Sequence, residues 1–201
     1  MSDSAPLSSN SSTDPAAVPR SRGRLVIISG PSGVGKNTVV RAMAAHRTFH
    51  FSVSATTRPA RPGETNGVDY HFVDSEAFES MVEEDRLLEW AEFAGSRYGT
   101  LRGEVLDYLE VGRDVVLDVE LTGALHVMES YPDAVSIFVM PPSIEELESR
   151  MRGRRDMSES QIATRLALAQ EQMQVGPDRF RHVVVNEDLD ATVAAIMDIL
   201  E

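Results

Sequence analysis

No cysteine occurs among the 201 residues, which excludes disulfides, thiolate metal ligands and thiol nucleophiles. Nor does any apolar run approach the ~18 residues that a membrane span needs. The Ser-rich start lacks an apolar h-region and carries Asp3 and Asp14, so neither a secretory signal nor an acid-poor transit peptide fits it. A cytoplasmic protein without a membrane partner is the expectation. Positive charge is also scarce: 19 Lys and Arg face 32 Asp and Glu, for a net charge of −13. Sequence-independent attraction to nucleic-acid phosphates depends on an electropositive surface, so nucleic acid is not an expected partner. The five histidines show no metal-ligand or triad spacing.

What is present is an apolar fraction of 42 %, enough for one compact domain with a substantial core. Residues 1–22 mix Ser, Pro, Asn and Ala with hardly any bulky apolar side chain and read as a disordered tail. Leu25-Val26-Ile27-Ile28 is a β-branched run of the kind that lies inside a parallel sheet. Similar runs recur at Val115 to Leu117, Val135 to Val139 and Val183 to Val185, and helical patterns separate them. The pattern predicts helices over about 36–46, from Ser143, over about 158–174 and from Leu189 to the end. Ser143-Ile144-Glu145-Glu146 reads as a capping box. Alternating strands and helices predict an α/β fold, a parallel sheet with flanking helices. Residues 53–102 break the rhythm with short mixed strands, the turn signals Pro62-Gly63 and Asn66-Gly67, and one helix near 75–84, as expected of an insert.

Gly30-Pro31-Ser32-Gly33-Val34-Gly35-Lys36 follows the first strand and opens the first helix, the context that makes a G-x-x-x-x-G-K match a credible phosphate-binding loop. Glycines let the backbone wrap a phosphate so that successive N–H groups point at the anion. Lys36 supplies a mobile cation. Asn37 stands where Ser or Thr would offer a hydroxyl to Mg²⁺, and Thr38 is one residue further on. Basic residues gather at Arg58 and Arg61 and again at Arg150, Arg152, Arg154 and Arg155, as local anion sites would.

Ser54-Ala55-Thr56-Thr57-Arg58-Pro59-Ala60-Arg61-Pro62-Gly63-Glu64, Asn66-Gly67-Val68-Asp69-Tyr70, Leu88-Glu89-Trp90-Ala91-Glu92-Phe93 and Tyr98-Gly99-Thr100 closely resemble the GMP-binding segment of guanylate kinases. With the glycine loop, Leu117-Asp118, the arginine-rich segment and Val185-Asn186-Glu187-Asp188, the resemblance spans about 24–201. It implies a P-loop core of residues 23–52 and 103–201, a GMP-binding insert at 53–102, and an arginine-bearing lid at about 150–165. It further implies ATP with Mg²⁺ as phosphoryl donor and GMP as acceptor. Arg58, Arg61, Tyr70 and Tyr98 would hold the GMP phosphate, and Glu89 the guanine base, with Ser54, Thr100 and Asp118 beside it. Arg150, Arg154 and Arg165 match the lid arginines, and Asn186 matches a position near the adenine of ATP. Glu120 replaces an aspartate common in the family and is implied near Mg²⁺ or its waters. The family usually has glycine after the second lid arginine, where this chain has Arg155.

The chemistry of the residues agrees. An ionised carboxylate can accept both the N1–H and N2–H₂ donors of guanine, whereas adenine would present a bare acceptor. Two other readings stay open at this point: a P-loop kinase for another small phosphate such as a ribose bisphosphate, and a non-catalytic binding module for protein partners.

Overall fold

A computed structural model describes residues 22–93, 95–153 and 157–201. The expected tail and Arg154 to Asp156 lie outside the described residues. The first sheet comprises β1 (Leu25–Ser29), β2 (His50–Phe51), β7 (Val115–Asp118), β8 (Val135–Met140) and β9 (His182–Val185). Its strands run in the order β2-β7-β1-β8-β9, all parallel. β1 is buried throughout because both faces are covered. Val26 and Ile28 enter a core shared with α1 (Lys36–Met43), α5 (Ile144–Gly153), α6 (Glu159–Arg179) and α7 (Leu189–Ile199). Leu25 and Ile27 enter a second core with α3 (Arg102–Glu110) and α4 (Leu121–Ser130). This two-sided burial explains the unbroken apolar runs. On β9, which has one neighbour, Val183 and Val185 are exposed although the run looks like the others.

A second sheet, in the order β4-β3-β6-β5, is drawn from β3 (Ala55–Thr56), β4 (His71–Phe72), β5 (Leu87–Phe93) and β6 (Ser96–Leu101). Its pairings are mixed, with β3 parallel to β4 and antiparallel to β6. The helix α2 (Ser75–Glu83) is capped by the Asp74 carboxylate, which accepts from the Ala77 N–H, and buries Phe78 against Ala55 and Leu87.

Two helix ends and one cap differ from the sequence expectation. α1 stops at Met43 because the chain tightens into a turn, with the His46 N–H donating to the Met43 carbonyl. At Ser143 half of the capping box forms: its Oγ accepts from the Glu146 N–H. The reciprocal arrangement is complete one helix later, where Ser158 and Gln161 satisfy each other's backbone. α6 runs past Val175-Gly176-Pro177, which reads as a stop, to Arg179. Gly176 lies flat on the Phe138 ring: a Cβ there would sit 2.3 Å from a ring carbon. Packing on the sheet holds this last turn, and a proline so near the helix end forfeits only one backbone bond.

Gly176→Ala should therefore lower stability by about 1–3 kcal/mol through overpacking, less the helix propensity it gains. Urea unfolding measures this, and an unchanged midpoint would mean that the Phe138 ring yields freely.

Candidate active site

In parallel sheets, ligands bind beyond the carboxyl ends of the strands. The glycine loop leaves β1 there, Asp118 closes β7, and Asn186 follows β9. Gly30, Gly33 and Gly35 adopt positive φ values of 152°, 86° and 104°. A Cβ on Gly30 would meet the Val139 carbonyl oxygen at 2.3 Å, so the loop leaves the sheet where no side chain fits. The turn is braced from outside. The Asn186 Nδ2 donates to the Val34 carbonyl at 2.8 Å, and the Thr192 hydroxyl donates to Asn186 Oδ1. Arg150 on α5 donates to the same Val34 carbonyl at 3.3 Å.

Lys36 is buried, and its Nζ donates to the Gly30 carbonyl at 2.9 Å while standing 3.8 Å from Asp118. The ammonium is held over the loop by groups of its own chain. Burial raises the Asp118 carboxyl above the usual carboxylate range, and the Lys36 charge opposes that rise. Across the cleft, Arg165 on α6 donates to the Ser32 hydroxyl at 2.9 Å, and its guanidinium lies 5.7 Å from the centre of the Phe93 ring. This arginine thus spans from the loop to β5.

The facing wall is formed by the second sheet. A register irregularity between Leu87 and Glu89 interrupts the strict alternation of β5. Leu88 and Glu89 both turn toward α4 as a result, the first in its core and the second against Gly123. Glu89 is 8 % exposed and accepts from the Thr100 hydroxyl at 2.7 Å. Burial pushes its carboxyl up to about 7 from an ordinary value of 4.5, partly offset by the Thr100 bonds.

Deeper along this wall, Arg58 forms a two-pronged pair with Glu64, at 2.8 and 2.9 Å, and its guanidinium centre lies 5.1 Å from the centre of the Tyr70 ring. The pair raises Arg58 and lowers Glu64 from their ordinary values. Glu64 also accepts from the Arg61 N–H, which folds the Arg61 turn back beside Arg58. Tyr70 meets Tyr98 edge to face at 6.0 Å, and burial raises its phenol.

One open cleft is lined from both sides. Ser32, Gly33, Gly35, Lys36, Asn37, Thr38 and Arg165 face it from the loop side. Ser54, Arg58, Arg61, Tyr70, Glu89 and Tyr98 face it from the other, with Asp118 and Glu120 between. Gly30, Pro31, Val34, Asn186, Arg150 and Thr100 stand behind this lining, and Arg154 lies outside the described residues. Gly123 escapes the sequence reading, while Glu64 and Phe93 fall inside the segments that carry the resemblance but receive no role from it; the contacts that give them one, to Arg58 and to Arg165, have no motif.

The donor set fits Mg²⁺ carried on nucleotide phosphates. Among the described residues no three carboxylates or histidines converge on a metal site. The Glu120 Oε2, buried beside the cleft, has no hydrogen-bond partner. Asn37 is exposed on the first turn of α1. One carboxylate and one amide oxygen suit an ion that keeps its waters and takes remaining ligands from phosphate.

Residues 22–201 match the family model described as guanylate kinase. A guanylate kinase from Nostoc sp. is 50 % identical over 175 residues, covering 87 % of this chain and 87 % of its own. One from Gloeobacter violaceus is 45 % identical over 196 residues, covering 97 % and 94 %. The crystal structure of guanylate kinase from Anaplasma phagocytophilum superposes with a TM-score of 0.75 at 35 % identity, over 90 % of this chain and 86 % of that one. A shikimate kinase from Bacteroides thetaiotaomicron, at 15 % identity and a TM-score of 0.50, shares the fold alone. The phosphate loop, the facing carboxylate and these whole-length matches converge, and this chain belongs to the guanylate kinase family.

Proposed function

We infer that the chain is an ATP-dependent guanylate kinase, transferring the γ-phosphoryl group of ATP to GMP to yield ADP and GDP. The observation that carries this reading is the opposition, across one cleft, of a phosphate loop holding Lys36 and a wall holding Glu89 with Arg58, Arg61, Tyr70 and Tyr98. A loop alone would serve any nucleotide phosphate. A buried carboxylate paired with a hydroxyl selects a base edge rich in donors, which guanine has and a ribose bisphosphate lacks. An intact Lys36 and its loop count against a module that only binds protein partners.

In this reading residues 53–102 form the acceptor insert and residues 150–165 the lid, on a core of 23–52 and 103–201. The GMP phosphate is gripped by the two guanidinium groups and two phenols, with Arg58 oriented by Glu64. Ser54 and Asp118 flank the base beside Glu89 and Thr100. The acceptor oxygen needs no strong base, because a phosphomonoester has its second pKa at about 6. Catalysis rests on alignment and on cations: Lys36 on the transferring group, with Arg165, Arg150 and Arg154 closing over it. Asn186 serves the ATP side by bracing the loop at Val34. Asn37 and Glu120 would hold Mg²⁺ bound with ATP, which neutralises charge on the phosphate oxygens. Lid and insert closure keeps water from intercepting the phosphoryl group. Among the described residues no helix is long and apolar enough to cross a membrane. We place the enzyme in the cytoplasm, with ATP and GMP as its partners.

The direct test offers GMP, AMP, UMP and ribose bisphosphate to the protein with ATP and Mg²⁺, and follows ADP. Turnover should occur with GMP and fall by at least about a hundredfold with the others, given the cost of leaving a buried carboxylate unmatched. Equal use of AMP would remove Glu89 from base selection.

Glu89 also predicts two pH effects of opposite sense. Free enzyme should bind GMP more weakly as pH falls through about 7, because the protonated carboxyl no longer accepts from guanine; Glu89→Gln should bind GMP poorly at every pH and lack this limb. Stability runs the other way. The folded state keeps the proton up to about 7 and the unfolded chain releases it near 4.5, so ionisation costs stability between those values and above. A shift of this size corresponds to about 3 kcal/mol. Glu89→Gln should therefore melt higher than the natural protein at pH 8 and not at pH 4.5. Melting curves at the two pH values would contradict the burial argument if the variant gained nothing at pH 8.

A further inference from the structure

We propose that Gly123 sets guanine selectivity by leaving the space that the Glu89 carboxylate occupies, an inference that rests on reading Glu89 as the base-binding group. A Cβ built on Gly123 would lie 2.3 Å from Glu89 Oε2, 2.9 Å from its Cδ and 3.5 Å from its Oε1. At such approaches something must shift, and the atoms met are the end of the flexible Glu89 side chain. Nothing in the backbone demands glycine there, since Gly123 lies inside α4, where glycine is a poor helix former. Other helical glycines make the contrast: a Cβ on Gly103 in α3 or Gly153 in α5 would meet nothing within 4 Å. The requirement at 123 comes from Glu89, 34 residues earlier in the chain.

The carboxylate is also held from its other side. Thr100 donates to Oε1, and the β5 irregularity fixes the direction from which Glu89 enters. Glu89 thereby lies against the first turn of α4. The three atoms that a methyl group at 123 would meet first all belong to the end of the Glu89 side chain, which can yield. The cost of the substitution therefore falls on base recognition rather than on folding. Gly123 is a positioning residue: it acts through Glu89 and touches no reacting atom.

The test is calorimetric titration of Gly123→Ala with GMP, IMP and ATP at pH 8, alongside melting curves. IMP keeps the N1–H of guanine and lacks its 2-amino group. GMP affinity should fall by about tenfold or more, as expected for a displaced polar match. The preference for GMP over IMP should shrink, while ATP affinity and melting temperature stay close to those of the natural protein. Glu89→Asp withdraws the carboxylate by one methylene and returns the missing room. In the Gly123→Ala/Glu89→Asp double variant, the two losses in GMP affinity should be less than multiplicative.

Retention of GMP affinity and of the GMP-to-IMP ratio in Gly123→Ala would overturn the proposal. So would a parallel loss of ATP affinity, or losses that simply multiply in the double variant, since either would reduce Gly123 to ordinary packing. If the natural protein itself failed to prefer GMP over IMP, the reading of Glu89 would fall, and the proposal with it.

Discussion

Asp118 lies opposite Ile28 in the parallel register of β1 and β7. That single pairing ties the two halves of the site together. Ile28 stands two residues before the glycine loop, so the register sets the Asp118 carboxylate 3.8 Å from the Lys36 ammonium. Val119, Glu120 and the first turn of α4 then follow Asp118 directly, along the floor of the cleft and up to Glu89. A slip of one residue between these strands would face Asp118 away from the loop and carry α4 off the base-binding wall. The apolar runs on both strands are buried on both faces, so the polar Asp118 at the end of β7 is where such a slip would be felt.

The loop itself was legible because its signal is local: a strand, a glycine turn with a lysine, and a helix occur within a dozen residues. The acceptor residues were legible by resemblance of short segments, each with a definite order. Long-range contacts left weaker traces. Nothing around Val183 to Val185 marks β9 as an edge strand, because the run of valines is the same whether one face or both are covered. The last turn of α6 was hidden by Gly176-Pro177, whose helical state depends on the Phe138 ring 38 residues away. Glu64 lies within a segment that carries the resemblance, but nothing in the sequence marks its carboxylate as the group that fills the Arg58 fork. Fold class was thus available from patterns and candidate site residues could be proposed from them, while the contacts that orient those candidates had no local signal.

The two walls solve opposite electrostatic problems in a chain with an excess of acid. In the proposed reading the loop wall would meet phosphate through backbone N–H groups, Lys36 and Arg165; the Lys36 ammonium stands 3.8 Å from Asp118 and donates to the Gly30 carbonyl. The facing wall carries arginines proposed for the acceptor phosphate beside a carboxylate proposed for the base, and Arg58 and Glu89 each have a protein partner: Glu64 and Thr100. Preassigned partners lower the ordering that binding must impose. Burying Glu89 weakens the fold at neutral pH, a cost placed where it sharpens recognition of a donor-rich edge.

The account stands on one claim above the others, that donor and acceptor phosphates meet inside a single continuous cleft. A bisubstrate molecule joining adenosine to guanosine through a chain of phosphates would occupy both walls at once. Its inhibition should be competitive against ATP and competitive against GMP, with affinity well beyond that of either nucleotide. Competition against one substrate alone, with the other unaffected, would separate the two sites and contradict the account.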